Sequence, residues 1–114
     1  MKAVVCSSYG PPENLKLEDI DEPDISKEQA LVEIYAASLN FPDGLQIQGK
    51  YQFQPPMPFT PGSEVAGKIR KVGAELKGFS VGDRVMATPG IGGLAALAAV
   101  KSESLRKIPD NMDF

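Results

Sequence analysis

Hydrophobic and polar positions alternate along much of this chain, and the alternation has period two. Val65, Gly67 and Ile69 alternate with Ala66, Lys68 and Arg70, as in a half-buried strand with one dry and one wet face. Gly67 brings no side chain to that strand, which marks a bulge or the close approach of another backbone. A Pro61-Gly62 turn opens the stretch, and Gly73, Gly78 and Gly82 punctuate the segment beyond the strand. Gly82-Asp83 then leads into a second apolar strand, Val85 to Ala87. The expected unit is strand, compact loop, strand. Gln29 to Ser38 carries the same period: Val32, Ile34 and Ala36 face one way, Leu31, Glu33 and Tyr35 the other. Residues 2–8 predict a further strand. Leu15 and Leu17, alternating with Lys16 and Glu18, predict a short one with a single dry face.

The period breaks in three places. From Asn40 to Gly49 the residues suit one or two helical turns, with Asn40 as N-cap, Pro42 in the first turn and Gly49 as the stop. Pro55, Pro56, Pro58 and Pro61 then exclude both helix and sheet interior, so this stretch is expected to be an extended surface loop. Between Leu94 and Leu105 the reading stays open. Alanine and leucine favour a helix, and Leu94, Leu97, Lys101 and Leu105 have helical spacing. Ile108-Pro109-Asp110 reads as a last short strand and a turn. The whole predicts a mainly β domain with small α content, a barrel or sandwich.

Composition narrows the function classes. With 114 residues, 24% charged and a net charge of −3, one ordinary globular domain is expected. The longest apolar run, Leu94 to Val100, falls far short of the ~20 residues of a membrane span. No signal peptide pattern is visible, so the cytoplasm is the expected location and no membrane partner is anticipated. The acidic balance and the lack of a basic stripe argue against nucleic acid; Lys68, Arg70 and Lys71 read as the wet face of a strand.

The chain contains no histidine and one cysteine, Cys6. That removes the commonest general base and metal ligand, every Ser-His or Cys-His arrangement, and any internal disulfide. Cys6 reads as a small buried hydrophobe. Gly90-Ile91-Gly92-Gly93-Leu94-Ala95 fits the G-x-G-x-x-A dinucleotide fingerprint. Its context is wrong, because Pro109 sits beside the acid at the required distance, Asp110, and no second parallel strand comes after it. A glycine turn between strands is expected there.

Gly62, Glu64, Gly67, Ile69, Val72 and Gly73, followed by Gly82-Asp83-Arg84-Val85, form a pattern that resembles the catalytic domain of medium-chain dehydrogenases/reductases. The flanks agree: Lys2-Ala3-Val4-Val5, Leu39-Asn40-Phe41-Pro42-Asp43 and Gly49-Lys50-Tyr51. The branch it is most similar to is that of the zinc-free quinone oxidoreductases. The resemblance covers residues 1–114, which correspond to about the first third of such an enzyme. It implies a GroES-like, partly open β-barrel serving as substrate domain, without the family's Rossmann cofactor domain. It implies NADPH as the cofactor of the full-length family, with none bound by this chain alone. It implies a small quinone or enone as the molecule reduced.

The resemblance also implies site residues. Asn40, Asp43 and Tyr51 would line the substrate and nicotinamide cleft, with Asn40 and Tyr51 as hydrogen-bond donors to the oxygen on which charge develops. Glu64 and Gly67 would give structural support. The zinc-binding branch has His where this chain has Ser63, and Cys where it has Asn40, so no metal is expected. The chain departs from the family at Leu45 and Gln48, where some members carry tyrosine and arginine, and at Ala96 and Leu97, where an acidic and an aromatic residue are usual in the strand that the resemblance implies between Leu94 and Leu105. The residues also admit blander roles: Asn40 as a helix cap, Asp43 as a first-turn acid, Tyr51 as a packed loop aromatic, Glu64 as a hydrogen bond holding a loop. A domain without its companions is expected to expose apolar surface and to self-associate through an uncovered edge. The rival reading is a stand-alone, non-enzymatic GroES-like binding or oligomerisation module.

Overall fold

A computed structural model describes residues 1–114. Seven strands and one short helix occur in order: β1 Lys2–Val5, β2 Lys16–Asp19, β3 Gln29–Ala37, α1 Phe41–Ile47, β4 Val65–Val72, β5 Arg84–Ala87, β6 Leu97–Lys101 and β7 Leu105–Lys107. β1 and β2 form a two-stranded antiparallel ribbon. The others form one antiparallel sheet in the order β6-β3-β4-β5-β7. The sheet curls without closing, because β6 and β7 are left as its two edges. The fold is mainly β, a half-barrel, as the alternation anticipated.

The inner face of that sheet carries the core: Ala30, Val32, Val65, Ile69, Val85, Ala87, Ala98, Val100 and Leu105. Ile34, Val72, Leu76 and Phe79 pack against its margin. Two register shifts bend β3 against β4, between Leu31 and Val32 and between Ile34 and Ala36. Bulges of this kind raise local twist and let a sheet curl. The second lies beside Gly67, where the backbones of the two strands nearly touch. Gly67 therefore sits where β3 and β4 approach too closely for a side chain.

A second cluster, Cys6, Ile47 and Phe59, with Leu15, Met57 and Ile91 around it, ties α1 and the proline-rich loop to the first strand. Cys6 and Phe59 exchange backbone hydrogen bonds of 2.8 and 3.0 Å. Cys6 is buried, and that burial pushes its thiol pKa up.

Some expectations need correction. The first strand ends at Val5, with Cys6 only in an isolated bridge, because the chain there turns toward Gly10 and Pro11. β2 has no dry face: all four of its residues are exposed, Leu17 by 70%. Alternation within a strand buries nothing unless another layer covers the apolar side. The proline-rich stretch is not wholly superficial, since Phe59 and Pro61 are buried. The last strand is Leu105–Lys107 rather than Ile108 to Asp110; Ile108 still donates to the Arg84 carbonyl at 3.0 Å, but Pro109 has no N–H to continue the ladder.

The open stretch from 94 to 105 is a strand, β6, followed by a 3-10 turn at Ser102–Ser104. Pairing with β3 places Ala98 opposite Val32 and Val100 opposite Ala30, and burial of these side chains overrides helix propensity. Gly90 to Ala95 is indeed a turn. Gly92, Gly93 and Leu94 donate to the carbonyls of Thr60, Gly62 and Pro61 at 2.7, 2.9 and 2.9 Å. Asp83 accepts from the Ser80 N–H at 2.9 Å and lies 3.6 Å from Lys107 Nζ. No helix is long and apolar enough to cross a membrane.

Candidate functional site

The helix α1 is short because its sequence both starts and stops it. Asn40 is the N-cap in extended conformation, Pro42 sits in the first turn, and Asp43 occupies the third helical position. The Asp43 carboxylate accepts from the Asn40 N–H at 2.8 Å, one half of a capping box. At the other end Gly49 has φ +71°. Lys50 donates to the Leu45 carbonyl at 2.9 Å and Gly49 to Gln46 at 3.1 Å, the paired bonds of a Schellman stop. Ile47 anchors the helix in the second hydrophobic cluster.

Against α1 lies a cavity of about 270 Å³, with Leu15, Leu39, Asn40, Asp43, Ile47 and Leu94 among its lining residues. Asn40 and Asp43 are its polar side chains; most of the rest is hydrocarbon. Asp43 is only 6% exposed, and its Oδ1 has no hydrogen-bond partner within the chain. An orphaned buried acceptor costs about 1–3 kcal/mol, so this site holds a desolvation cost that a donor would relieve. Leu39 and Phe41, on either side of Asn40, are 78% and 81% exposed. The mouth of the cavity thus has an apolar rim.

Asn40 is held from the opposite side. Its Nδ2 donates to Ser38 Oγ and to Glu64 Oε2, each at 3.1 Å. Ser38 Oγ donates to the same Glu64 oxygen at 2.7 Å, and the Ser38 N–H to the Glu64 carbonyl at 3.1 Å. The Ser38 hydroxyl, then the Asn40 amide, hold the Glu64 carboxyl below the usual carboxylate range. Glu64 therefore ties the connection between β3 and α1 to the start of β4, where the expectation had it steadying a loop.

The structure brings Asn40, Asp43 and Glu64 into one network and leaves Tyr51 outside it. Tyr51 is half-buried in the loop after α1; its carbonyl accepts from Gln54 Nε2, and the phenol has no partner within the chain. Gly67 lies in the barrel wall, away from the cavity lining. Sequence reasoning missed Ser38, Leu39, Leu15 and Leu94. Ser38 closes a strand and carries no pattern of its own. Leu39 offered one signal, an apolar residue beside a cap. Nowhere do three or more Cys, Asp or Glu side chains come together in a metal-ligating group.

Residues 26–110 match the sequence profile of the alcohol dehydrogenase GroES-like domain. The chain is 39% identical to a quinone oxidoreductase of Pongo abelii, over all of this chain and 35% of that protein. It is also 39% identical to the chloroplastic NADPH-dependent alkenal/one oxidoreductase of Arabidopsis thaliana, over all of this chain and 32% of that protein. Among solved structures, Escherichia coli quinone oxidoreductase complexed with NADPH superposes with a TM-score of 0.94 at 26% identity, covering all of this chain and 35% of the other. The chain spans about a third of the length of the curated relatives it matches.

Proposed function

The chain belongs to the alcohol dehydrogenase GroES-like domain family, and from that premise we propose that it is the substrate-binding domain of an NADPH-dependent, zinc-independent oxidoreductase of quinones or enones. The observation that carries the reading is the cavity beside α1, apolar but for Asn40 and Asp43. A flat conjugated carbonyl compound is itself mostly hydrocarbon with one or two polar ends. The relatives named for quinone and for alkenal/one reduction fit that class.

Each residue has a role in this reading. Leu15, Leu39, Ile47 and Leu94 exclude water and seat the ring. Asn40 and Asp43 orient the substrate's polar end. Tyr51, whose phenol is uncommitted, supplies the hydrogen bond to the oxygen that gains charge. Glu64 and Gly67 support the walls. NADPH would supply the hydride. The residues present do not form a cradle for its pyrophosphate, since Gly90 to Ala95 turn back onto residues 60–62 instead of opening a helix. The dinucleotide is therefore assigned to polypeptide outside these 114 residues. Zinc independence rests on the donor set: no histidine, one cysteine buried in another cluster, and carboxylates that do not converge. Self-association, where it occurs, would use the uncovered edges β6 and β7.

The test is a titration of the isotope-labelled chain with 1,4-naphthoquinone, monitored by amide chemical shifts. Perturbation should centre on Asn40, Asp43, Gly44, Ile47 and Leu94, and NADPH alone should leave the spectrum unchanged. Shifts confined to other surfaces, or micromolar NADPH affinity, would end the proposal. Ring-sized particles in light scattering would instead favour a stand-alone binding module.

A further inference from the structure

Asn40 is the one residue that belongs both to the cavity against α1 and to the Ser38–Glu64 network behind it. Ser38 and Glu64 lie outside that cavity and line a separate shallow groove with Ala36, Ala66 and Met86. Which way the Asn40 amide faces follows from what its neighbours can do. An ionised carboxylate only accepts, so the end toward Glu64 Oε2 is the nitrogen, 3.1 Å away. The Ser38 hydroxyl gives its proton to the same oxygen at 2.7 Å and presents a lone pair to the Asn40 nitrogen at 3.1 Å. A reversed amide would set its oxygen against both. At its other end the Asn40 side chain caps the Asp43 N–H at the start of α1. The amide is thus held at oxygen by the helix and at nitrogen by Ser38 and Glu64.

That arrangement leaves one donor over. Ser38 Oγ and Glu64 Oε2 are only 2.7 Å apart, close enough to share a single N–H. The two N–H bonds of an amide diverge, so the second hydrogen is turned away from the pair. We infer that Ser38 is a positioning residue: with Glu64 it orients the Asn40 amide so that the remaining N–H meets an acceptor oxygen of the ligand. The inference rests on the proposed substrate site and deepens it. A quinone or enone has a carbonyl oxygen to take this hydrogen and no hydroxyl of its own to give one. The Ser38 hydroxyl adds to what the carboxylate does alone. Without it a single solvent-exposed contact, that to Glu64, would hold the nitrogen, and the amide would swing over a wider range. Ser38 is itself fixed, because its N–H donates to the Glu64 carbonyl at 3.1 Å.

Acetophenone and α-methylstyrene separate positioning from packing. They share one flat outline, and the first carries a carbonyl oxygen where the second carries CH₂. Each is titrated into the isotope-labelled chain and monitored at the Asn40 side-chain NH₂ and the Asp43, Gly44 and Ile47 amides. In the wild type, acetophenone should draw one of the two Asn40 side-chain hydrogens downfield and leave the other in place; α-methylstyrene should draw neither. Ser38→Ala should weaken acetophenone at least about threefold, within the usual worth of one net hydrogen bond, and leave α-methylstyrene unchanged. Ser38→Thr, which keeps the hydroxyl, should restore acetophenone binding. A Ser38 that only supported the fold would weaken both probes alike. That outcome, undiminished acetophenone binding in Ser38→Ala, or no restoration by Ser38→Thr overturns the inference and leaves the cavity as the ligand site. If neither probe shifts an α1 signal, the site itself is gone, and the proposed function with it. The wild-type shifts need no variant: equal movement of the two Asn40 hydrogens with both probes refutes the inference even where Ser38→Ala does not fold.

Discussion

A Cβ built on Gly67 of β4 would stand 2.9 Å from the carbonyl carbon of Glu33 on β3, and closer still to its oxygen. No side-chain rotation relieves a clash with main chain, so any larger residue must part the two strands. Val32, Ile69 and Val85 meet at that junction and would part with them. Gly67→Ala should therefore destabilise by at least about 3 kcal/mol, at the upper end of overpacking costs. Urea unfolding monitored by far-ultraviolet dichroism measures it; an unchanged midpoint would refute the close approach.

Two glycines of the α1 region should respond with opposite signs. Gly44 lies in the helix, and a Cβ there meets nothing within 4 Å. Gly44→Ala should stabilise by about 0.5–1 kcal/mol through the unfolded chain's lost freedom. Gly49, at φ +71°, would carry its Cβ in the left-handed region, 3.1 Å from the Tyr9 ring. Gly49→Ala should cost about 1–2 kcal/mol. Melting temperatures that shift in the same direction would contradict this account of how the helix ends.

Glu64 makes stability depend on acid. Its hydrogen bonds to Ser38 and Asn40 lower its pKa from the ordinary 4.5, so over the interval just below that value the unfolded chain binds a proton that the folded chain does not. The stabilisation from Glu64 is complete above about 4.5 and is lost as pH falls through the depressed folded value. Glu64→Gln should flatten this part of the pH–stability curve while leaving the neutral region nearly level. A mutant curve that runs parallel to the wild type from about pH 6 to 3 would dismiss the effect.

Arg84 fastens the end of the chain to the outer face of the sheet. Its guanidinium donates to the Pro109 carbonyl at 3.2 Å and to that of Met112, and lies 4.6 Å from the centre of the Phe114 ring. Phe114 in turn packs on Tyr35 at 4.6 Å between ring centres. Lysine keeps the charge but not the planar fork. Arg84→Lys should raise hydrogen exchange at the Met112 amide at least about tenfold, with about 1 kcal/mol or less of global destabilisation. Exchange as slow as in the wild type would mean that Phe114 alone holds the tail.

The amino-acid pattern alone determined the strands that bury one face, because period two in β3, β4 and β5 is a property of consecutive side chains. It determined the bounds of α1, whose cap and stop are written in Asn40, Asp43 and Gly49, and it marked Gly67 as a place for close backbones. It also named Asn40, Asp43 and Glu64, which fold into one network. Only the tertiary structure decided the rest. Residues 97–101 became a strand because β3 offered an edge and a core, and Leu17 stayed wet because nothing covers β2. The direction of the Asn40 amide was likewise invisible in the sequence. It is set by Glu64, 24 residues away along the chain, and a carboxylate orients an amide only when folding brings the two within hydrogen-bonding distance.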